Sequence, residues 1–139
     1  MSLLHQASCV AIQGRAVLIE GAPGSGKSSL ALALIDRGAV LVGDDGVRLE
    51  AVDGHLIASP PPHIAGLIEV RNLGLLEFPV ANATPVALVL RLDPDAPRFI
   101  EAAEDYALGG SALPLVRLWP GGEVLALKAE LALHRFGLP

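Results

Sequence analysis

Apolar residues fall into short blocks along this chain, and the period inside each block changes from one to the next. Cys9-Val10-Ala11-Ile12 and Ala16-Val17-Leu18-Ile19 are unbroken apolar runs on either side of Gln13-Gly14-Arg15. They predict a hairpin of strands 8–12 and 16–20. From Ser28 to Arg37 the period lengthens. Leu30, Ala31, Leu34 and Ile35 share one helical face, and Gly38 follows where a left-handed cap is wanted. Ala39-Val40-Leu41-Val42 returns to a continuous apolar strand and runs into Gly43-Asp44-Asp45. A right-handed crossover through the helix is expected to lay it beside the 16–20 strand. Val47–Val52 and His55–Ala58 flank Asp53-Gly54, a hairpin signal. Ser59-Pro60-Pro61-Pro62 interrupts regular structure. Residues 64–70 are ambiguous in period and admit a short helix. Pro85–Leu92 predicts a buried strand, 94–106 a helix opening on prolines, and 113–119 another strand. Gly121-Gly122 marks a turn before a helix-like pattern from Glu123 to Phe136, although Val124–Leu127 also admits a strand start. The fold class expected is α/β: a mixed β-sheet with flanking helices, in a single domain over residues 1–139.

Composition narrows this picture. Hydrophobic residues make up 52% of the 139-residue chain and aromatics only 4%, so the core is aliphatic, as in sheets buried under helices. No apolar run approaches the about 20 residues that cross a bilayer, and no secretory leader is visible at the N-terminus. One cysteine, Cys9, forms no internal disulfide and reads as a core residue. These features predict a cytoplasmic protein without a membrane partner. A net charge of −5 argues against a nucleic-acid backbone as partner.

Candidate chemistry begins at Gly21-Ala22-Pro23-Gly24-Ser25-Gly26-Lys27-Ser28, which fills every fixed position of the phosphate-binding loop G-x-x-x-x-G-K-[ST]. A strand enters it and a helix leaves it, as that loop requires. Its backbone N–H groups and the helix start suit a dense anion. Lys27 is placed for the β and γ phosphates and Ser28 for Mg²⁺. With Ser29, these residues are the cofactor-binding candidates, for ATP and Mg²⁺. Asp44 and Asp45 close the strand that follows the loop helix. One carboxylate there can hold Mg²⁺, and a second can take a proton from an attacking hydroxyl. Asp-Asp-Gly is also ordinary turn chemistry.

The block from Gly21 to Asp45 resembles the catalytic domain of the HPr kinase/phosphorylase family. There a phosphate loop, a helix ending in Arg-Gly and a strand ending in Asp-Asp occur without a break. A second family signature, near Leu-Glu-Ile-Arg-Gly-Leu-Gly, is matched by Ile68-Glu69-Val70-Arg71-Asn72-Leu73-Gly74, after Pro60-Pro61-Pro62. The likeness extends from about Leu4 to about Leu125 and weakens after Pro79.

The resemblance implies a single-domain phosphate-loop kinase fold shared with phosphoenolpyruvate carboxykinase. It also implies a bacterial, ATP- and Mg²⁺-dependent serine kinase acting on the phosphocarrier HPr, able to remove that phosphate by phosphorolysis. In it, Asp45 matches the acid that deprotonates the substrate serine, Asp44 its neighbour, and Lys27 the loop lysine. Ser28 matches the Mg²⁺ serine and Glu69 a Mg²⁺-linked glutamate. His5 matches a catalytic-site histidine, offset by one residue, and Arg98 is the nearest candidate for a late family arginine. Glu69 and Arg71 read equally as an ion pair, and His5 as a surface residue. A homo-oligomer, a hexamer built through catalytic domains, is implied as well.

The chain departs from the family at three places. Ser29 stands where an acid is usual, Gly122-Glu123 replaces a late Arg-Asn pair, and the C-terminal helix that helps contact HPr is shortened. Two other readings therefore stay open: a phosphate-loop kinase for a small metabolite, and a nucleotide-sensing module without turnover.

Overall fold

The computed structural model describes residues 2–139. In it, strands β1 (Ser2–His5), β2 (Ser8–Ile12) and β3 (Arg15–Gly21) precede helix α1 (Lys27–Asp36). Strands β4 (Val40–Gly43), β5 (Val47–Val52), β6 (His55–Ser59), β7 (Leu67–Val70) and β8 (Gly74–Glu77) come next. The chain ends with β9 (Thr84–Leu92), β10 (Glu104–Leu108), β11 (Ser111–Leu118) and α2 (Leu125–Phe136). Nine strands form one mixed sheet, and β7–β8 stands apart as a hairpin.

The sheet turns on β9. One edge of β9 pairs in parallel with β3 along most of its length. Its other edge is divided: Thr84 and Pro85 pair with β6, and Val89 to Leu92 pair in parallel with β11. Two arms, β6-β5-β1 and β11-β10, thus leave β9 on one side and curl the sheet. The loop strand β3 is buried on both faces, which explains its unbroken apolar run. Val17 and Ile19 face the helices in one core with Leu30, Leu34, Leu88, Leu90, Ala129 and Leu133. Ala16 and Leu18 face a second core with Val42, Leu49, Leu56, Val89 and Leu115. Cys9 belongs to that second core, where burial pushes its thiol pKa up.

Four expectations are corrected. The 39–42 strand does not pair with the loop strand: β2 lies between them, antiparallel to both. The crossover skips one position, so β4 still runs parallel to β3 and ends on the same side. Residues 64–70 hold strand β7, not a helix, because Asn72, at φ 75°, turns the chain into β8. Residues 94–106 do not form a helix. Asp93 accepts the N–H of Asp95 at 2.8 Å in a local turn, and Pro97 denies the next turn a backbone donor. The segment ends in β10, joined to β11 through Gly109-Gly110, both at positive φ as a tight hairpin requires. Strand β1, which pairs with β5, lies in a stretch where the apolar pattern predicts no element. The helix ends fit the sequence reading. Gly38 has φ 109°, its N–H donates to Ile35 O and that of Ala39 to Leu34 O, closing α1. Residues 124–127 open into α2 as helix.

Four strands, β1, β3, β9 and β10, are fastened by one buried carboxylate. Glu20, 8% exposed at the end of β3, accepts from Arg91 at 2.6 Å and Tyr106 at 3.2 Å and lies 2.7 Å from His5 Nε2. Arg91 also lies over the Tyr106 ring. Burial alone pushes the Glu20 pKa up, but the hydrogen bonds and charges of His5 and Arg91 outweigh it, and the net direction is down.

This architecture sets two stability outcomes. Leu90→Ala empties part of the helix-side core and should cost about 2–5 kcal/mol in urea unfolding at an unchanged m-value. Glu20→Gln should cost about 1.5–3 kcal/mol at pH 7. A lowered folded pKa means that Glu20 stabilises fully above the ordinary glutamate value of about 4.3 and loses that contribution as pH falls through its folded value. The gap between wild type and variant should therefore narrow between pH 5 and pH 3. A gap constant with pH would show that the carboxylate charge is not what fastens the strands.

Candidate active site

The glycine-rich loop spans the gap between β3 and α1. Gly26, the residue before the helix, has φ 101°, a conformation that opens the curl at little steric cost. The loop hydrogen bond from Ser25 N to Ala22 O, 3.0 Å, tightens it. Lys27 Nζ donates to the carbonyls of Gly21 at 2.9 Å and Ala22 at 3.4 Å. The ammonium is thus held over the loop mouth by two weak acceptors, which a phosphate oxygen can replace. Ser25 Oγ is buried with no hydrogen-bond partner among the described residues.

The aspartate pair arrives from the turn after β4. Gly43 is tightly enclosed there: a Cβ at that position would collide with the carbonyl of Gly46. Asp44 points to the helix start and accepts from Ser28 Oγ at 2.6 Å and from the buried Ser8 Oγ at 3.0 Å. Asp45 adopts φ 58°, a left-handed conformation that aspartate tolerates better than most residues. Its N–H reaches Ser8 Oγ loosely, at 3.5 Å. The two carboxylates therefore diverge. Asp44 is half-buried against Ser28, while Asp45 is exposed and lines a cavity of about 570 Å³.

That cavity collects most of the residues expected from the sequence. Pro23, Gly24, Gly26, Lys27, Ser28 and Ser29 form its floor. Glu69 and Arg71, from the β7–β8 hairpin, face it from the other side. No ion pair joins Glu69 to Arg71 among the described residues, so both charges are open to the cavity. The hairpin is braced at its base by Phe78 N–H donating to Gly66 O at 2.7 Å, and β7 packs against α1.

Two candidates lie elsewhere. His5 is turned to Glu20 and does not line the cavity; its neighbour Gln6 does. Arg98 lines a separate cavity of about 260 Å³ with Trp119, Lys128, Arg135 and Phe136, between the loop after β9 and α2. Ser8, Glu20, Arg91 and Tyr106 were not found from the sequence. Ser8 leaves one signal, a hydroxyl residue heading an otherwise apolar run. The others are single polar residues inside or beside strands, and only the sheet pairing brings them together.

The donor set fits one hard cation. No group of three or more His, Cys, Asp or Glu side chains is poised for a metal among the described residues. Mg²⁺ needs no such cage, since it keeps waters and takes one or two protein oxygens alongside phosphates. The Ser28–Asp44 pair supplies oxygens of that kind at the phosphate end of the cavity.

Comparisons with known proteins agree with this geometry. The model of the HPr Serine kinase C-terminal domain family matches residues 2–84. A protein from Clostridium novyi (strain NT) named HPr kinase/phosphorylase is 43% identical over 144 residues, covering 93% of this chain and 47% of its own. One of that name from Clostridium tetani is 46% identical over 70 residues, 50% of this chain and 23% of its own. The chain thus spans about half, or less, of the length of these curated relatives. The solved structure of the Hpr(Ser) kinase/phosphatase from Coxiella burnetii superposes with a TM-score of 0.85 at 29% identity, over 95% of this chain and 88% of that one. Among the described residues no helix is long and apolar enough to cross a membrane. With a matching family model, a curled mixed sheet shared with a solved relative and a phosphate loop facing paired aspartates, the chain belongs to the HPr serine kinase C-terminal domain family.

Proposed function

We propose that this chain is a Mg²⁺- and ATP-dependent serine protein kinase that phosphorylates HPr, and also its phosphorylase, built as a single phosphate-loop domain over residues 1–139 of the HPr kinase and phosphoenolpyruvate carboxykinase type. One observation carries the reading. Lys27, Ser28 and Asp45 line one cavity, and Asp44 is hydrogen-bonded to Ser28 at 2.6 Å, in a member of this family. Homo-oligomerisation belongs to the same proposal and rests on family resemblance.

The residues divide the work. Backbone N–H groups of the loop and the N-terminus of α1 cradle the phosphates. Lys27 leaves the loop carbonyls to neutralise charge on the β and γ phosphates. Ser28 and Asp44, with Glu69 across the cavity, are the groups that would hold Mg²⁺. The ion, when bound, neutralises charge that develops on the phosphate oxygens. Asp45 takes the proton of the acceptor serine as that oxygen bonds to the γ-phosphorus and the bond to the β–γ bridging oxygen breaks, releasing ADP. In phosphorolysis, an oxygen of inorganic phosphate bonds to the phosphoserine phosphorus as the bond to the serine oxygen breaks, and pyrophosphate forms. Protonated Asp45 then returns its proton to the serine oxygen, by microscopic reversibility. The exposure of Asp45 suits a base that must meet a protein substrate, and its separation from Asp44 lets one acid serve the metal and the other the proton.

Labelled ATP, Mg²⁺ and HPr test this directly. The intact protein should place label on a serine of HPr. Asp45→Asn should lower kcat by about 10²–10⁴ with little change in ATP affinity. Lys27→Ala should abolish measurable transfer. Asp44→Asn should raise the Mg²⁺ concentration needed for half-maximal rate, since it removes the carboxylate charge beside Ser28 and leaves only a neutral amide oxygen there. No label on HPr from the intact protein, together with turnover on small alcohols, would move the assignment to a metabolite kinase.

A further inference from the structure

The phosphate cavity does not end at the loop. A second cavity, of about 590 Å³, is lined by Ser29, Leu32, Ala33, Ile35, Asp36 and Phe78. It shares Ser29 and Leu32 with the first. Residues 29, 32, 33 and 36 form one stripe of α1 by helical spacing. At 1.5 Å per residue the stripe runs about 10 Å from the loop toward the C-terminal end of the helix. We propose that this shelf seats the nucleoside end of the triphosphate, with its base lying against Phe78 and across Ala33. The inference rests on the phosphate-site reading above and names where the rest of that ligand goes.

Polarity matches along the whole length. The first cavity carries Lys27, Asp45, Glu69 and Arg71, the groups that phosphates and a metal require. The second is aliphatic and aromatic except at its two ends, Ser29 and Asp36. A nucleoside triphosphate has the same order: a charged head, then an apolar ring with polar edges. Direction agrees too. Lys27 and Ser28 address the terminal phosphates, so Ser29, one residue on, lies toward the α-phosphate, and the ligand continues along the helix.

Space and rigidity also suit a planar ring. Ala33 is exposed and carries only a methyl group, which leaves the middle of the shelf low. Phe78 is half-buried at the foot of the β7–β8 hairpin, where its own N–H is fixed to Gly66 O. An aromatic face held in this way offers stacking to any base. Asp36 only accepts hydrogen bonds when ionised, so it pairs with a donor on the nucleoside, an amino group or a ribose hydroxyl.

Calorimetry with two probes on the intact chain separates this inference from the reading beneath it. The probes are Mg²⁺–ATP and Mg²⁺–tripolyphosphate, which shares the phosphates and lacks the nucleoside. Wild type should bind ATP more tightly. Phe78→Ala and Ala33→Leu should each weaken ATP by about fivefold or more and leave tripolyphosphate within twofold. Ala33→Leu keeps an exposed helix former and adds no charge, so it reports even where Phe78→Ala fails to fold. Equal affinity of wild type for both probes, or unchanged ATP affinity in the variants, would overturn the assignment and leave the phosphate site standing. Unchanged ATP affinity with a raised KM for HPr would give the shelf to the acceptor protein, which also overturns it. Binding of neither probe by wild type would remove the phosphate site itself, and the inference with it.

Discussion

The site depends on one hydrogen-bonded carboxylate. Asp44 accepts from Ser28 at the start of α1 and from Ser8 at the head of β2, and it sits on the turn that leaves β4. Three segments distant in sequence therefore meet at one side chain. Hydrogen bonds to an ionised acceptor are shorter and stronger than neutral ones, so the arrangement holds the helix start against the strand ends with little freedom. It also decides the direction of Asp45. With Asp44 turned inward and the backbone of Asp45 in a left-handed conformation, the second carboxylate is left facing the cavity.

The distribution of cations sharpens this. The chain is acidic, with ten Lys and Arg against fifteen Asp and Glu. Several of the ten are committed elsewhere: Arg91 to Glu20, Arg117 to Asp93 and Glu104, Arg37 to Glu130. Lys27 and Arg71 are the cations that line the phosphate cavity. Asp45 and Glu69 balance them in the same cavity, so an anion bound there meets a few directed cationic contacts rather than a net positive field.

Physical range separates the features that the sequence discloses from those it hides. The phosphate loop, α1 and the Asp-Asp turn were legible because their constraints are local: glycines at fixed offsets, a change of period, an acid pair at a strand end. The strand at 64–70 was not, since four residues cannot display a period and its partner strand lies across a turn. The segment from 94 to 106 misled because prolines and acids open helices as readily as loops, and Gly109-Gly110 decides the matter only once both strands are paired. The cluster around Glu20 was hidden for a different reason. His5, Glu20, Arg91 and Tyr106 are far apart in the chain, and their meeting is a property of strand order. That order also placed β2 between β3 and β4, which no local signal specifies.

The forked strand β9 has a consequence for opening. It is paired along both edges and buried on both faces, so its amides, with those of β3, should exchange with solvent only when the whole domain opens. The β7–β8 hairpin is a two-stranded ribbon whose tip, at Leu73 and Leu75, is exposed. Its amides should exchange through small local excursions. The phosphate cradle thus hangs from strands buried on both faces, while Glu69 and Arg71 ride on a two-stranded ribbon outside that sheet. A ligand can be admitted past the hairpin without the cradle ever coming apart.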